Sequence, residues 1–536
     1  MIFTLHRYIF RELFKVFVLA VVALTLILSL CSVLRPVQEY GVGPRQAVHL
    51  IGYFLPITLT FVLPMAALFA GALVYGRLAS DNELDACKAS GISLMTLIYP
   101  GLVLAIIVAI ANLILSFHIM PVFVRRAEKS LKADAKQILF RNIKRRGYYK
   151  LPPDGEYVIY ADQADQQNDT LLGVVVAEAK GYGIKKIITA ERAQMKFRQD
   201  ERFDELRQVQ IIAHNTYQIG PEDGSGASFE WGSFTAEFGS LLGDDIKFKK
   251  IVEMKRIQAN LMRFYPIAKL ARQTYAQFTT ELLAKDIETT IDEDANSFYK
   301  LHSGEKLVEF TAARVTPDEK KVQLDGGVVV IESDVDSKQR LCTLSAARAL
   351  LALEGDEFAP TFTMDIYNPT LKRADGSEDL KMRHIIRGLI PPEAVRDKFK
   401  AGNVLDDIKP EAMSLALRKK PGPVLLALQN KLQRSIQTTL SDIEAETHSR
   451  LVFGIGCVSM ILIGIGLGII QKGGHLLSAF GASCVPAAAL IVCIMSGKHI
   501  TENLGSQSVS GIALMWAGLV MLSLLAVVIF CRLLKN

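Results

Sequence analysis

Leu97–Met120 reads LIYPGLVLAIIVAIANLILSFHIM, 24 residues without a formal charge. A helix of about 20 residues crosses the ~30 Å hydrocarbon core of a bilayer. Five more runs of 19 to 24 residues share this character: Val16–Leu34, Ile51–Val74, Leu451–Ile470, Leu476–Met495 and Val509–Cys531. Between the third run and the fourth lie more than 300 polar residues with none comparable. The pattern predicts an α-helical polytopic membrane protein with six transmembrane helices, arranged 3+3 around a large extracytoplasmic β-rich domain.

Composition supports this division. Hydrophobic residues make up 50% of the 536 and charged ones 22%, which excludes disordered and collagen-like chains. Residues 122–449 hold 49 Lys/Arg and 49 Asp/Glu, so the net charge of +6 belongs to the membrane part. A neutral polar region carries no footprint for nucleic acid. Basic residues in short loops point to the cytoplasm. One side holds Arg7, Arg11, Lys15, Arg77, Lys88, Lys472, Arg532 and Lys535; the other holds Arg35, Arg45 and Lys498. Both termini are therefore expected in the cytoplasm, although Arg125, Arg126, Lys129 and Lys132 oppose this weakly. The first run is too long for a signal-peptide core and lacks an A-x-A-like site. Only Cys342 of the seven cysteines falls in the outer region, so no internal disulfide is expected there.

Between the second and third runs, Ser80-Asp81-Asn82-Glu83 has the spacing of a capping box, and Gly91 suits a left-handed stop. A short cytoplasmic helix is predicted over 80–91, carrying Asp81, Glu83 and Asp85 against Lys88, with Leu84 as its one large apolar residue. Interfacial helices favour basic flanks on an anionic leaflet, so an acidic helix suits a groove on a basic partner better than the bilayer surface.

The stretch from Ser80 to Ser93, with its Ser-Asp-x-Glu-Leu … Ala-Ser-Gly pattern, resembles the coupling-helix segment of the lipopolysaccharide-export permease family (LptF/LptG). Glu446-Thr447-His448-Ser449-Arg450, just before the fourth run, is similar to that family's Glu-x-His-x-Arg pattern. The resemblance covers roughly residues 1–255 and 440–536. It implies a non-catalytic permease subunit of an ABC-type exporter in the cell inner membrane. The loop helix (Asp81, Glu83, Leu84, Asp85, Lys88) would dock into a cytoplasmic LptB-like ATPase dimer, with Glu83 as the acidic coupling residue. It further implies a second permease subunit, paralogous or identical, and leaves room for a single-span LptC-like protein and a periplasmic bridge. In the family, spans one, two and five line the lipid cavity; Pro56, Pro64 and Pro486 interrupt the second and fifth runs here. Basic residues near the outer end of span one contact the lipid headgroup, which maps to Arg35 and Arg45. An ordinary interfacial anchor is the other reading of these two arginines.

The chain divides into spans one to three (1–121), a connecting helix (122–146), a β-jellyroll-like domain (147–255), a helical linker broken at Pro266 (256–294), a second β unit (295–385), a linker with an amphipathic helix (386–449) and spans four to six (450–536). Gly173-Val174-Val175-Val176-Ala177-Glu178 recurs as Gly327-Val328-Val329-Val330-Ile331-Glu332. Thr189-Ala190-Glu191-Arg192-Ala193 returns as Ser345-Ala346-Ala347-Arg348-Ala349. Duplication and a chance likeness of short strands both account for this. Family members usually carry one β domain, so the extra ~150 residues suggest an extension of the lipid path. The amphipathic helix ahead of the fourth run either passes movement or covers a core face.

No G-x-x-x-x-G-K-[ST], H-E-x-x-H, C-x-x-C or G-x-S-x-G occurs, so no cofactor, metal or catalytic residue is assigned. Gly464-Ile465-Gly466-Leu467-Gly468 sits inside a span, where small residues serve helix packing. A lipid-export permease is the leading reading. The alternative is a non-transporting membrane scaffold whose periplasmic domain binds envelope partners.

Overall fold

The computed structural model describes the chain except residues 1, 41–43, 134, 152–156, 181–182, 200–206, 221–224, 239–244, 294–296, 305, 319–320, 335–338, 357–358, 374–376, 393–403, 418–419, 471–475, 504–507 and 536. It contains two compact units, Met1–Lys255 with Leu440–Asn536, and Arg256–Thr439.

In the first unit, α1 (Ile2–Tyr40), α2 (Pro44–Ser80), the short α3 (Glu83–Ala89) and α4 (Leu94–Ile114) precede a π turn at Leu115–Ile119 that leads into α5 (Met120–Ala133) and α6 (Ala135–Arg146). Among the described residues, five helices are long and apolar enough to cross a membrane: Ile2–Cys31, Ile51–Ser80, Leu94–Ser130, Pro423–Ile470 and Val509–Leu534. The remaining run, Leu476–Met495, is also helical, within Leu476–Asn503, but several of its side chains lie outside the described residues. The amphipathic stretch ahead of the fourth run and the run itself share one helix, Pro423–Ile470.

Span one touches the bundle through a narrow stripe, Ile9, Leu13, Phe17 and Ala20, and exposes Leu19, Leu26, Ile27 and Leu30. Lipid tails solvate that outer face as well as leucines would, so burial is not required of it. Spans two and four are the most buried. A Cβ on Gly464 would stand 2.7 Å from the Leu68 carbonyl oxygen, and one on Gly468 2.6 Å from that of Ala72. The glycines therefore let two backbones touch, as expected of packing residues. Gly468→Val should destabilise the bundle by about 1–3 kcal/mol through overpacking. Gly481→Val, where nothing lies within 4 Å, should be neutral in the same detergent melts.

The polar part of this unit is a six-stranded antiparallel meander in sequence order: β1 (Tyr148–Lys150), β2 (Tyr157–Asp165), β3 (Thr170–Lys180), β4 (Gly183–Gln199), β5 (Arg207–Gly220) and β6 (Ser225–Phe238). Its buried face (Ile159, Leu171, Val174, Val176, Met195, Val209 and Ile211 among others) packs on Ile138, Leu139, Phe140 and Ile143 of α6. Pairing skips a line of residues across the sheet: Asp162, Gly173, Glu191, Asn215 and Glu230. Gly173 and Asn215 are left-handed there, with φ of 60° and 50°. The line is a crease where the buried positions shift register, from Leu171 to Val174 on one strand and from Ala193 to Ala190 on the next. Among the described residues, β1 and β6 pair with no strand beyond β2 and β5.

In the second unit, the linker is α7 (Ile251–Ala259, starting in the first unit) and α8 (Tyr265–Glu293). The break falls at Asn260–Phe264 rather than at Pro266, which sits in the first turn of α8, where a missing N–H costs nothing. Strands β7 (Tyr299–Ser303), β8 (Lys306–Thr311), β9 (Arg314–Asp318), β10 (Lys321–Asp334), β11 (Arg340–Asp356), β12 (Ala359–Tyr367), β13 (Thr370–Arg373), β14 (Glu378–Leu380) and β15 (Arg383–Leu389) form the second sheet. β8 and β9 run end to end along β10, as β12 and β13 do along β11, so the order is again a meander. This one closes: the His302 N–H donates to the Ile390 carbonyl at 3.2 Å and the Ile390 N–H to that of His302 at 2.7 Å. Phe310, Val322, Leu324, Val330, Leu351 and Phe362 fill the interior at 0% exposure, with Leu283, Ala284 and Ile287 of α8 packed among them.

The two copies of the sequence repeat occupy matching places. Val174 opposes Ala190 and Val175 opposes Thr189; Val328 opposes Ala346 and Val329 opposes Ser345. Gly327, like Gly173, is left-handed.

Glu332 is 4% exposed and accepts from His384 Nε2 at 2.8 Å and Lys306 Nζ at 3.3 Å. The His384 hydrogen bond, aided by Lys306 against the opposing effect of burial, holds its carboxyl below the ordinary carboxylate range. A lowered folded-state value stabilises above the unfolded value of about 4.3 and is lost as pH falls through the folded one. Glu332→Gln should therefore cost about 1–3 kcal/mol in thermal unfolding at pH 7, and the gap to the unmutated chain should close in melts below the carboxylate range.

Candidate functional site

The loop helix begins where α2 ends. Ser80 is the last residue of α2, so its backbone belongs to that ladder; the Asp81 N–H donates to the Arg77 carbonyl at 2.8 Å. Asn82 then turns left-handed (φ 56°) and leads into α3 without a side-chain cap. The expected Ser80–Glu83 capping box is thus not formed, because Ser80 lies two residues ahead of the N-cap position, which Asn82 holds. The other end follows expectation. Gly91 is left-handed (φ 82°), its N–H donates to the Lys88 carbonyl at 2.9 Å, and that of Ile92 to the Cys87 carbonyl at 3.1 Å. These paired bonds are a Schellman stop. Ser93 then caps α4, accepting from the Thr96 N–H at 3.3 Å.

Asp81, Glu83, Asp85 and Lys88 are exposed, whereas Leu84 is 4% exposed in a cluster with Ile9, Leu13, Leu78, Leu94 and Leu97. Leu84 is the helix's anchor in its own bundle, not a residue it presents outward. The exposed side carries three carboxylates against one ammonium, a face suited to a basic groove. Nearby, Pro100 cannot donate to the Thr96 carbonyl, and His6 Nε2 occupies that oxygen at 2.9 Å. Tyr75 donates its hydroxyl to the Leu97 carbonyl at 2.9 Å. Glu12 accepts from Arg77 at 3.2 Å and Lys15 at 2.7 Å, tying α1 to the end of α2.

A second polar cluster lies at the ends of the spans that adjoin the long polar stretch. Arg450 is 5% exposed. Its guanidinium donates to Glu446 Oε1 at 2.8 Å and to the carbonyls of Lys247 at 2.7 Å, Ser116 at 3.1 Å and Lys249 at 3.3 Å. It also lies 5.6 Å over the Phe117 ring. The second oxygen of Glu446 accepts from Lys498 at 2.5 Å, and Lys498 is 3.7 Å from Glu502. His448 Nδ1 accepts from Trp516 Nε1 at 3.3 Å. Each polar member of Glu446-x-His448-x-Arg450 thus reaches a different neighbouring helix or turn. The sequence signals were the Glu446–Arg450 spacing of four and an arginine abutting an apolar run; the carbonyls that Arg450 reaches are 201 to 334 residues away.

Arg35 belongs to the last turns of α1 and Arg45 to the first turn of α2, and their side chains lie outside the described residues. Pro56 and Pro64 lie inside α2 and Pro486 inside Leu476–Asn503, as the sequence implied.

Residues 7–232 and 267–532 match the family described as "Lipopolysaccharide export system permease LptF/LptG". That is most of the chain, and the chain belongs to this family. It is a multi-pass inner-membrane protein of a family of permease subunits rather than catalysts. No individual curated protein matches it.

Proposed function

We propose that this LptF/LptG-family chain is the permease subunit of an ATP-driven, ABC-type exporter that moves lipopolysaccharide or a similar large envelope lipid toward the outer membrane. Its termini lie in the cytoplasm, and the region between spans three and four lies in the periplasm. ATP is hydrolysed by a separate LptB-like dimer, which grips α3 by Asp81, Glu83, Asp85 and Lys88. A second permease subunit completes the lipid cavity, where Arg35 and Arg45 meet the anionic headgroup. The observation that carries this reading is α3 itself: an exposed acidic face on a helix pinned from below by Leu84 and bounded by tight turns.

The two β units play different parts. The matching registers around Gly173 and Gly327 support a duplication. The first meander keeps two free edges among the described residues, and it receives acyl chains. The second is closed and filled by its own side chains. It does not extend the lipid path; it is a packed module whose surface is what it offers.

Two substitutions separate docking from folding. Glu83→Lys should cut co-purification of the ATPase at least about tenfold, roughly 1.4 kcal/mol, and leave the melting temperature unchanged. Leu84→Ala should lower the melting temperature, by about 2–5 kcal/mol in stability. An ATPase that stays bound in Glu83→Lys would favour the scaffold reading instead.

A further inference from the structure

The third span carries a defect at the end that adjoins the first β domain. Pro121 has no N–H, and the Met120 N–H is turned to the Leu115 carbonyl by the π turn. The Ser116 carbonyl therefore has no donor within its own helix: the residue four on is engaged elsewhere and the residue five on is proline. Arg450 supplies the missing donor. The same guanidinium takes two carbonyls of the turn at Ile246–Phe248 and its flank, which follows the first β domain in the chain. That turn is itself held by Asp245, whose side chain accepts from the Lys247 N–H at 3.0 Å. On the far side, Glu446 carries the ion pair on to Lys498, beyond the end of the fifth apolar run.

A lysine could not do this. Its single ammonium lacks the planar fork that addresses a carboxylate and three carbonyls in fixed directions. A buried cation with this many acceptors is also costly to shift singly, so the joined parts move together or not at all.

We propose that Arg450 is a positioning residue. It locks the segment leaving the first β domain to the ends of spans three, four and, through Glu446 and Lys498, five, so that helix movement in a transport cycle is delivered to that domain. This rests on the transport reading for its purpose, but the lock exists or fails independently of it.

The test uses the full chain with its ATPase in proteoliposomes loaded with lipopolysaccharide, and Arg450→Lys, Pro121→Ala, Lys498→Gln and Lys498→Arg variants. Amide hydrogen exchange over 245–250 reads the lock; ATP hydrolysed and lipid handed to a soluble acceptor read its use. In Arg450→Lys and Pro121→Ala, exchange of the turn should speed up, ATP hydrolysis should stay within about twofold, and lipid moved per ATP should fall about tenfold. Lys498→Gln should fall in the same direction, and Lys498→Arg, which keeps the ion pair, should match the unmutated chain. Pro121→Ala changes no charge and carries the test if Arg450→Lys fails to insert. Unchanged exchange in both variants would overturn the lock. Fast exchange with undiminished lipid per ATP would overturn its role in transport. An unmutated chain that moves no lipid with ATP would defeat the transport reading and the purpose assigned here, while the exchange result still decides the lock.

Discussion

A hydrocarbon interior offers no water to a carbonyl that has lost its helical donor, and this constraint organises both ends of span three. Each unsatisfied group there costs several kcal/mol, so a proline must be answered by a side chain. At one end Pro100 frees the Thr96 oxygen and His6 of α1 takes it. At the other, Pro121 and the π turn free the Ser116 oxygen and Arg450 of span four takes it. The helix is fastened to different neighbours at its two ends by the same device, one imidazole and one buried guanidinium. Between these points the bundle relies on backbone contact, as at Gly464 and Gly468. Polar fastening at the ends and glycine packing in the middle are the two contact types a membrane protein commands, since apolar burial alone gains little against lipid.

The sequence disclosed most where the physics is local or compositional. The spans were legible because crossing a bilayer demands an uninterrupted apolar run, whatever it packs against. The stop of α3 was legible because Gly91 needs no partner to turn left-handed. Its start was not: whether Ser80 caps a new helix or ends the old one depends on how far α2 continues, which the capping-box spacing does not encode. Strand β6 leaves no local signal, because its Gly- and Ser-rich run (Ser225-Gly226-Ala227-Ser228) has weak strand propensity and is held by thirteen register pairs with β5. Closure of the second barrel involves a bridge between His302 and Ile390, and the Arg450 contacts span 334 and 203 residues. No short-range pattern carries such pairings; the motif named the residue but not what it holds.

The two meanders show how one strand plan reaches opposite outcomes. Both fold across a left-handed glycine in the third strand across the sheet, which shifts the buried face and lets the sheet curl. In the second, curling continues until the last strand meets the first, and large side chains such as Phe310 and Phe362 occupy the volume enclosed. In the first, α6 covers part of the buried face, and Phe229, paired with the buried Thr216, remains partly exposed on β6. An interior that is to admit a chain must stay short of filling itself. The filled barrel has spent that volume on its own packing.

A lever, which is what the proposed docking makes of α3, is useful only if it cannot slip. Helix α3 has seven residues, too few to be stable alone, so its shape is lent by what surrounds it. Leu84 is sunk among side chains of α1, α2 and α4, a two-residue turn joins it to span two, and the stop at Gly91 hands the chain to a capped span three within three residues. A force on its acidic face has almost no slack in which to be lost. Span three then runs from Leu94, past Pro100, to the π turn whose Ser116 carbonyl Arg450 grips. One helical segment thus joins the turn after α3 at one end to the Arg450 hydrogen bond at the other.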